Sequence, residues 1–406
     1  MFTVGGYHAR MRWLLFALVA ASVSGQAPYG RPRARDLGIA PGSMTPGPLN
    51  AITDVAGVRV GHTTIVQGET VRTGVTAILP HGGNLFQAKV AGAVFVGNAF
   101  GKLAGSTQVR EIGTIETPIV LTNTLSVGTA VDAVVRWTLG EPGNENVKSV
   151  NALVGETNDG TLNDIRGFHV TREHVLAAIA NAKPGAVEEG SVGAGTGTIA
   201  FGWKGGIGTS SRLVHQGGDT WTVGVLVQSN YGGKLASDGV PVWKELTPDR
   251  VPPAKGGLSA VARSANAGPP AVARSASAGP PAAEAGSCMI VIATDAPLDA
   301  RGLERLAARA VFALARTGST YSNGSGDFAI AFSTHASLRV TSAAGPQQRT
   351  ILPTDSMSGL FEAVLDATEE AVDNSLLKAT DATANGRTIR AIPIDALRAL
   401  LKTHGR

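Results

Sequence analysis

The chain reads as a layered α/β sandwich, and three observations carry that reading. Short apolar strands alternate with glycine-marked turns from Ala51 to Asn230. Amphipathic helical stretches interrupt those strands and recur after Ser287. Glycine is abundant, at 52 of 406 residues, while aromatics make up 5%. That composition suits tight turns and closely apposed backbones, with helices covering the outside of the strands.

Ala93-Val94-Phe95-Val96, Pro118-Ile119-Val120-Leu121 and Trp221 to Gln228 are the clearest early strands, and another is expected over about Val150 to Val154. Thr129 to Leu139 places Ala130, Val131, Val134 and Val135 on one helical face. Thr171 to Ala182 reads similarly, with Thr171 as N-cap. Farther on, Cys288-Met289-Ile290-Val291-Ile292-Ala293 is a dense apolar strand. Asp299 then caps a helix whose Leu303, Leu306, Ala307, Ala310, Val311 and Leu314 share a face. Phe328 to Phe332 is a strand. After Pro353, Leu360, Phe361, Val364, Leu365, Thr368, Val372 and Leu376 line a long helix.

Composition narrows the function. The chain is 43% hydrophobic and 16% charged, enough to bury a large core, and its formal charge is only +4. Lysine and arginine are scattered, which argues against nucleic acid as a partner. Arg10 and Arg12 precede an apolar run, Trp13 to Ala21, followed by Ser22, Ser24 and Gly25. This reads as a signal peptide over 1–25, so the mature chain is expected to be exported, periplasmic or secreted, without stable membrane association. With Cys288 as the one cysteine, no internal disulfide is possible.

Residues 26–47, rich in Pro, Gly and Arg, are expected to form a loose lead-in to the first part of the sandwich, 48–252. An 11-residue tandem repeat, 260–270 and 271–281, dominates a linker over 253–286. Its small residues bury too little surface to offset their ordering entropy. Residues 287–406 complete the same sandwich. Gly193-Ala194-Gly195-Thr196-Gly197 lacks the ending of a phosphate loop, so close backbone packing is its expected use.

Gly286-Ser287, where the linker meets an apolar strand, is the candidate cleavage site. Cleavage there would give Ser287 a free α-amine beside its hydroxyl, uniting nucleophile and base in one residue. The amine's reference pKa of about 7.7–8.0 suits a general base near neutrality. Ser325 and Asp327, two residues apart at the mouth of a strand, should face one side as a hydroxyl backed by a carboxylate. Asn230 ends an apolar strand, where its amide could donate to an oxyanion. Glu156, in the turn expected after Val154, could anchor a substrate ammonium group.

These pieces resemble the L-aminopeptidase/D-Ala-esterase and β-peptidyl aminopeptidase family of self-processing serine peptidases. The marks are Ile52-Thr53-Asp54-Val55 with Gly57 to His62, Gly155-Glu156 to Gly160 with Leu162-Asn163-Asp164, and Val223 to Gln228 running into Asn230-Tyr231-Gly232. They continue with Gly286-Ser287, Ala293 to Leu298, Arg316 to Ser319, Gly324 to Asp327 and Thr368 to Ala371. The resemblance covers roughly Ala51 to Arg387. It implies a four-layer αββα sandwich like that of N-terminal-nucleophile hydrolases, and autoproteolysis into two chains that form a homo-oligomer, often a tetramer.

Residue by residue, it places the nucleophile on Ser287, its supporting serine and acid on Ser325 and Asp327, the oxyanion-hole asparagine on Asn230 and the substrate-amine contact on Glu156. No cofactor or metal is required. Substrates would be short peptides, amides or esters with a free amine. An acyltransferase on the same scaffold, akin to ornithine acetyltransferase, is the alternative enzyme; a non-catalytic exported binding protein is the alternative outside enzymes.

Overall fold

Two β-sheets stacked face to face, with helices on both outer surfaces, make up this fold in the computed structural model. It describes residues 1–2, 30–248, 286–342 and 345–406. The chain divides into two units, Met1–Gly30 and Arg31–Arg406. Residues 3–25 of the signal segment and 253–285 of the linker lie outside the described residues, and the sandwich belongs to the second unit.

The strands are β1 (Arg59–Gln67), β2 (Val71–Leu79), β3 (Val90–Ala99), β4 (Leu103–Ala104), β5 (Thr114–Ile115), β6 (Ile119–Asn123), β7 (Leu153–Thr157), β8 (Ile199–Ala200), β9 (Trp203–Lys204), β10 (Gly206–Gln216), β11 (Asp219–Asn230), β12 (Ser287–Thr294), β13 (Gly326–Ser333), β14 (Ala382–Ala384) and β15 (Arg387–Ile389). The helices are α1 (Ser106–Ile112), α2 (Val127–Gly140), α3 (Arg172–Ala180), α4 (Ala300–Arg316), α5 (Ser358–Leu377) and α6 (Ile394–Thr403). One sheet runs β1-β2-β6-β7-β4 and the other β10-β11-β12-β13-β3-β5. Each contains one parallel pair, β6 with β7 and β12 with β13, among antiparallel neighbours.

Side-chain alternation along the central strands builds the layers. In β12, Cys288, Ile290 and Ile292 pack with Leu303, Leu306 and Leu314 of α4 and Leu360, Val364 and Val372 of α5. The intervening Met289, Val291 and Ala293 face the second sheet, packing with Ile78, Ile119, Leu121 and Leu153. On the far side of that sheet, Val75, Ala77, Val120 and Val154 meet Ala130 and Val134 of α2 and Val175 and Ala178 of α3. Three apolar layers therefore separate four layers of secondary structure, giving the αββα sandwich.

The helix caps follow the sequence. Thr171 is the N-cap of α3. Asp299 accepts from the Gly302 N–H at 2.8 Å, satisfying one of the free donors at the start of α4. In the Gly193–Gly197 run, a Cβ on Gly195 would lie 2.5 Å from Ile207 N and one on Gly197 2.1 Å from Arg72 O. These glycines serve close backbone approach.

Two expectations need correction. From Arg31 onward the lead-in is held in place. Arg31 donates to the Leu377 and Ile392 carbonyls, Ala34 N–H to Asn374, and Arg35 to Glu370. The reason lies in α5, whose apolar stripe is visible in sequence but whose opposite face carries Asp366, Glu370, Asp373 and Asn374, all buried. Buried polar groups require partners: Arg35 and Arg212 serve Glu370, the Ala34 N–H serves Asn374, and Arg316 of α4 serves Asp366. The strand expected over Val150 to Val154 instead spans Leu153–Thr157, so Glu156 lies inside β7 rather than in a turn. Parallel pairing with β6, Thr122 opposite Glu156, extends it.

Candidate active site

Ser287 is the first residue of β12 and is 6% exposed. It sits opposite Asn230, the last residue of antiparallel β11, and opposite Gly326, the first residue of parallel β13. Asn230, Ser287 and Gly326 thus form one row across three adjacent strands. Alternation turns Ser287 toward the space between the sheets, because Met289 and Val291 face that way.

Gly286 precedes this row in a cramped position. A Cβ there would stand 2.3 Å from Tyr231 Cα and 2.6 Å from Asn230 O, both backbone atoms unable to yield. Its carbonyl oxygen accepts the Gly326 N–H at 3.1 Å. The peptide bond ahead of Ser287 is therefore both tightly confined and polarised by a backbone donor.

Asn230 is oriented from two sides. Its Oδ1 accepts the Ile199 N–H at 2.9 Å, and its Nδ2 donates to the Asn158 carbonyl at 3.0 Å. Rotating the amide would place donor against donor and acceptor against acceptor, so these contacts set its orientation. One of the two Nδ2 hydrogens is used by Asn158, leaving the other to donate elsewhere.

Ser325 and Asp327 come together as expected. The Ser325 hydroxyl donates to Asp327 Oδ1 at 2.9 Å, and both residues are buried. Burial raises the Asp327 carboxyl to about 6, opposed by the hydrogen bonds from Ser325 and from the Cys288 backbone. Asp327 Oδ2 has no hydrogen-bond partner among the described residues. Opposite Cys288 in the ladder, Asp327 points to the helix side of the sheet and approaches Ser287 through the main chain. A bulge lies beside it. Asp327 pairs with Asn98 of β3 and Phe328 with Val96, leaving Gly97 as the extra residue. Bulges recur next to active sites, where they re-aim side chains.

Glu156 approaches from the smaller sheet. A single point, where Gly101 would carry a Cβ, lies 3.2 Å from Glu156 Oε1 and 3.3 Å from Gly326 Cα. The carboxylate therefore borders the Ser287 row. Its Oε1 accepts the Lys102 N–H at 2.9 Å, while Oε2 is buried without a partner among the described residues. An uncompensated buried carboxylate oxygen invites a cation or a donor.

Some neighbours have no signal in the sequence. Gln228 Nε2 donates to Thr157 Oγ1 and to the Ala194 carbonyl, joining the two sheets below the site. Lys204 is fully buried, donates to the Gly195 and Gly205 carbonyls, and is lowered to about 7 by burial, with Asp159 opposing that shift. Lys102 borders Glu156 from an irregular segment. A lysine in a polar turn looks the same whether it faces water or a site. Among the described residues, no three His, Cys, Asp or Glu side chains are grouped to hold a metal ion.

A serine heading an inner strand of a four-layer αββα sandwich is the arrangement expected of the N-terminal-nucleophile class of hydrolases. The chain belongs to peptidase family S58, whose pattern matches residues 50–389. It is 42% identical to the β-peptidyl aminopeptidase BapA of Sphingosinicella microcystinivorans, over 98% of this chain and 99% of that one. The PH0078 protein of Pyrococcus horikoshii OT3 superposes with a TM-score of 0.80 at 44% identity, covering 92% of this chain and 100% of the other. The L-aminopeptidase D-Ala-esterase/amidase of Ochrobactrum anthropi, described as a prototype for the serine aminopeptidases and a variant of the Ntn hydrolase fold, gives 0.80 at 35%, over 93% and 99%. The chain is accordingly a serine aminopeptidase.

Proposed function

We propose that this aminopeptidase matures by cutting its own Gly286–Ser287 bond and then uses Ser287 as an N-terminal nucleophile. One observation carries the reading: a buried serine heads β12 behind a glycine with no room for a Cβ and a carbonyl held by the Gly326 N–H. In maturation, Ser287 Oγ adds to the Gly286 carbonyl carbon, and the Gly326 N–H stabilises the negative charge that develops on oxygen. Collapse moves the acyl group from nitrogen to Oγ. Water then cleaves the ester, leaving a Gly286 carboxylate and a free Ser287 amine.

In turnover, that amine accepts the Ser287 hydroxyl proton and passes it to the leaving amine. Asn230 donates its free Nδ2 hydrogen to the oxyanion. Ser325 and Asp327, reaching Ser287 from the main-chain side, orient its α-amine. Glu156 binds the substrate ammonium group through its unpartnered oxygen. Water releases the acyl group and restores the enzyme.

Substrates are short peptides, amides or esters with a free amine. The names of the Sphingosinicella and Ochrobactrum relatives support β-aminoacyl and L-aminoacyl substrates respectively. The Arg10–Gly25 pattern supports export to the periplasm or beyond, and the family resemblance supports a homo-oligomer, a tetramer of processed units.

Intact-mass analysis and N-terminal sequencing of wild type and Ser287→Ala test this reading. A fragment beginning Ser-Cys-Met-Ile, present in the wild type and absent from the variant, is the expected result. An uncut wild type would leave Ser287 without its amine and overturn the mechanism.

A further inference from the structure

Beside the Ser287 row stands a pair of opposite charges that the mechanism uses only by half. Lys102 Nζ lies 3.8 Å from Glu156 Oε1 and donates to Thr124 Oγ1 at 3.2 Å. Thr124 follows β6, and its N–H bonds the carbonyl of Thr157, the last residue of β7. All three groups therefore gather at the carboxyl ends of two parallel strands, where α/β sheets commonly bind ligands. The lysine side chain is 57% exposed and the glutamate's is 2% exposed, so the cation is free to move while the anion is fixed.

A substrate amine alone answers Glu156 but leaves Lys102 facing another cation. A residue carrying an ammonium and a carboxylate on one carbon answers both, its charges lying side by side as those of Lys102 and Glu156 do. For Ser287 to cut beside such a residue, its scissile carbonyl must be reached through the next carbon. That describes an aspartyl residue linked through its side chain.

We propose that Glu156, Lys102 and Thr124 bind the zwitterionic head of an N-terminal β-aspartyl residue, making β-aspartyl peptides substrates of this enzyme. The proposal rests on the assignment of Ser287 as nucleophile and Glu156 as amine anchor. The ammonium pairs with Glu156 Oε2, and the carboxylate accepts from Lys102 Nζ and the Thr124 hydroxyl, charge-assisted bonds stronger than neutral ones. Ser287 Oγ attacks the side-chain carbonyl carbon, the C–N bond breaks, and the amine leaves with the hydroxyl proton. One water then cleaves the ester to give free aspartate and the shortened peptide.

The test compares β-L-aspartyl p-nitroanilide with β-alanyl p-nitroanilide on processed wild type, Lys102→Met and Lys102→Arg. The Lys102 backbone N–H, which holds Glu156 Oε1, survives both substitutions. Wild type should cleave both anilides. The ratio of kcat/KM for β-aspartyl over β-alanyl should fall at least about ten-fold in Lys102→Met, mainly through KM, and recover most of that loss in Lys102→Arg. Cleavage of the β-alanyl anilide alone, or an unchanged ratio in Lys102→Met, overturns the proposal and leaves the aminopeptidase assignment intact. Failure to cleave either anilide while L-alanyl p-nitroanilide is cleaved overturns the β-aspartyl proposal alone; failure on all three after complete processing overturns the nucleophile and amine-anchor assignments with it.

Discussion

Gly286 is pressed against Tyr231 so closely that a Cβ on the glycine would lie 2.3 Å from Tyr231 Cα. The contact is between backbones, and β11 cannot withdraw because its next residue back, Asn230, is laddered to Ser287. Replacing Gly286 by alanine must therefore shift the bond proposed for self-cleavage. Gly286→Ala should slow self-cleavage at least about ten-fold while the uncut chain remains folded, as a time course of fragment appearance and a thermal melt would show. Cleavage at the wild-type rate would mean that this confinement plays no part in maturation.

Asn230 offers a cleaner separation of binding from chemistry. If its second Nδ2 hydrogen serves only the developing oxyanion, Asn230→Ala should lower kcat by about 10²–10³, the usual cost of one such donor, with KM nearly unchanged. Steady-state kinetics on processed enzyme decides this. A change confined to KM would place Asn230 among the binding groups instead.

In the proposed mechanism Asp327 links activity to pH. Its carboxyl is raised to about 6, so acid protonates the group that accepts from Ser325, and kcat/KM should fall as pH drops through about 6. Asp327→Asn should lower activity and remove that step near pH 6, leaving the separate loss that comes from protonating the Ser287 α-amine. Stability should move the other way. A carboxyl raised in the fold is stabilising when neutral, and this contribution is lost as pH rises from about 4 toward 6, by up to about 3 kcal/mol. Asp327→Asn should thus raise Tm at pH 7.5 and leave it unchanged near pH 3. Equal Tm shifts at both values would exclude ionisation as the cause.

Glu370 carries a purely structural prediction. It pairs at 2.8 Å with Arg212, and both side chains are fully buried. Removing one partner strands the other charge in a dry interior. Glu370→Gln should cost about 3–5 kcal/mol in urea unfolding. The double replacement Arg212→Met with Glu370→Leu should recover much of the loss, because it leaves no lone charge in the dry interior; Arg35, the other partner of Glu370, is one-third exposed and can turn to water.

The sequence by itself determined the layered α/β class, because strand and helix periods are local properties of the chain. It also singled out Gly286-Ser287, since a polar nucleophile at the start of an apolar strand is visible without coordinates. Ser325 and Asp327 were legible as a pair for the same reason: two-residue spacing at a strand mouth brings side chains to one face.

Only the tertiary structure decided what surrounds them. The order of strands puts Asn230, Ser287 and Gly326 in one row although linker and helix separate them along the chain. Parallel pairing with β6 draws Glu156 out of its expected turn and into a buried strand. The polar face of α5 pins the arginine-rich lead-in, and Lys102 stands beside Glu156 for no reason its neighbours in sequence supply. Hydrophobic period specifies which face of an element is buried, whereas the partner it meets depends on topology and on the need to pair every buried charge.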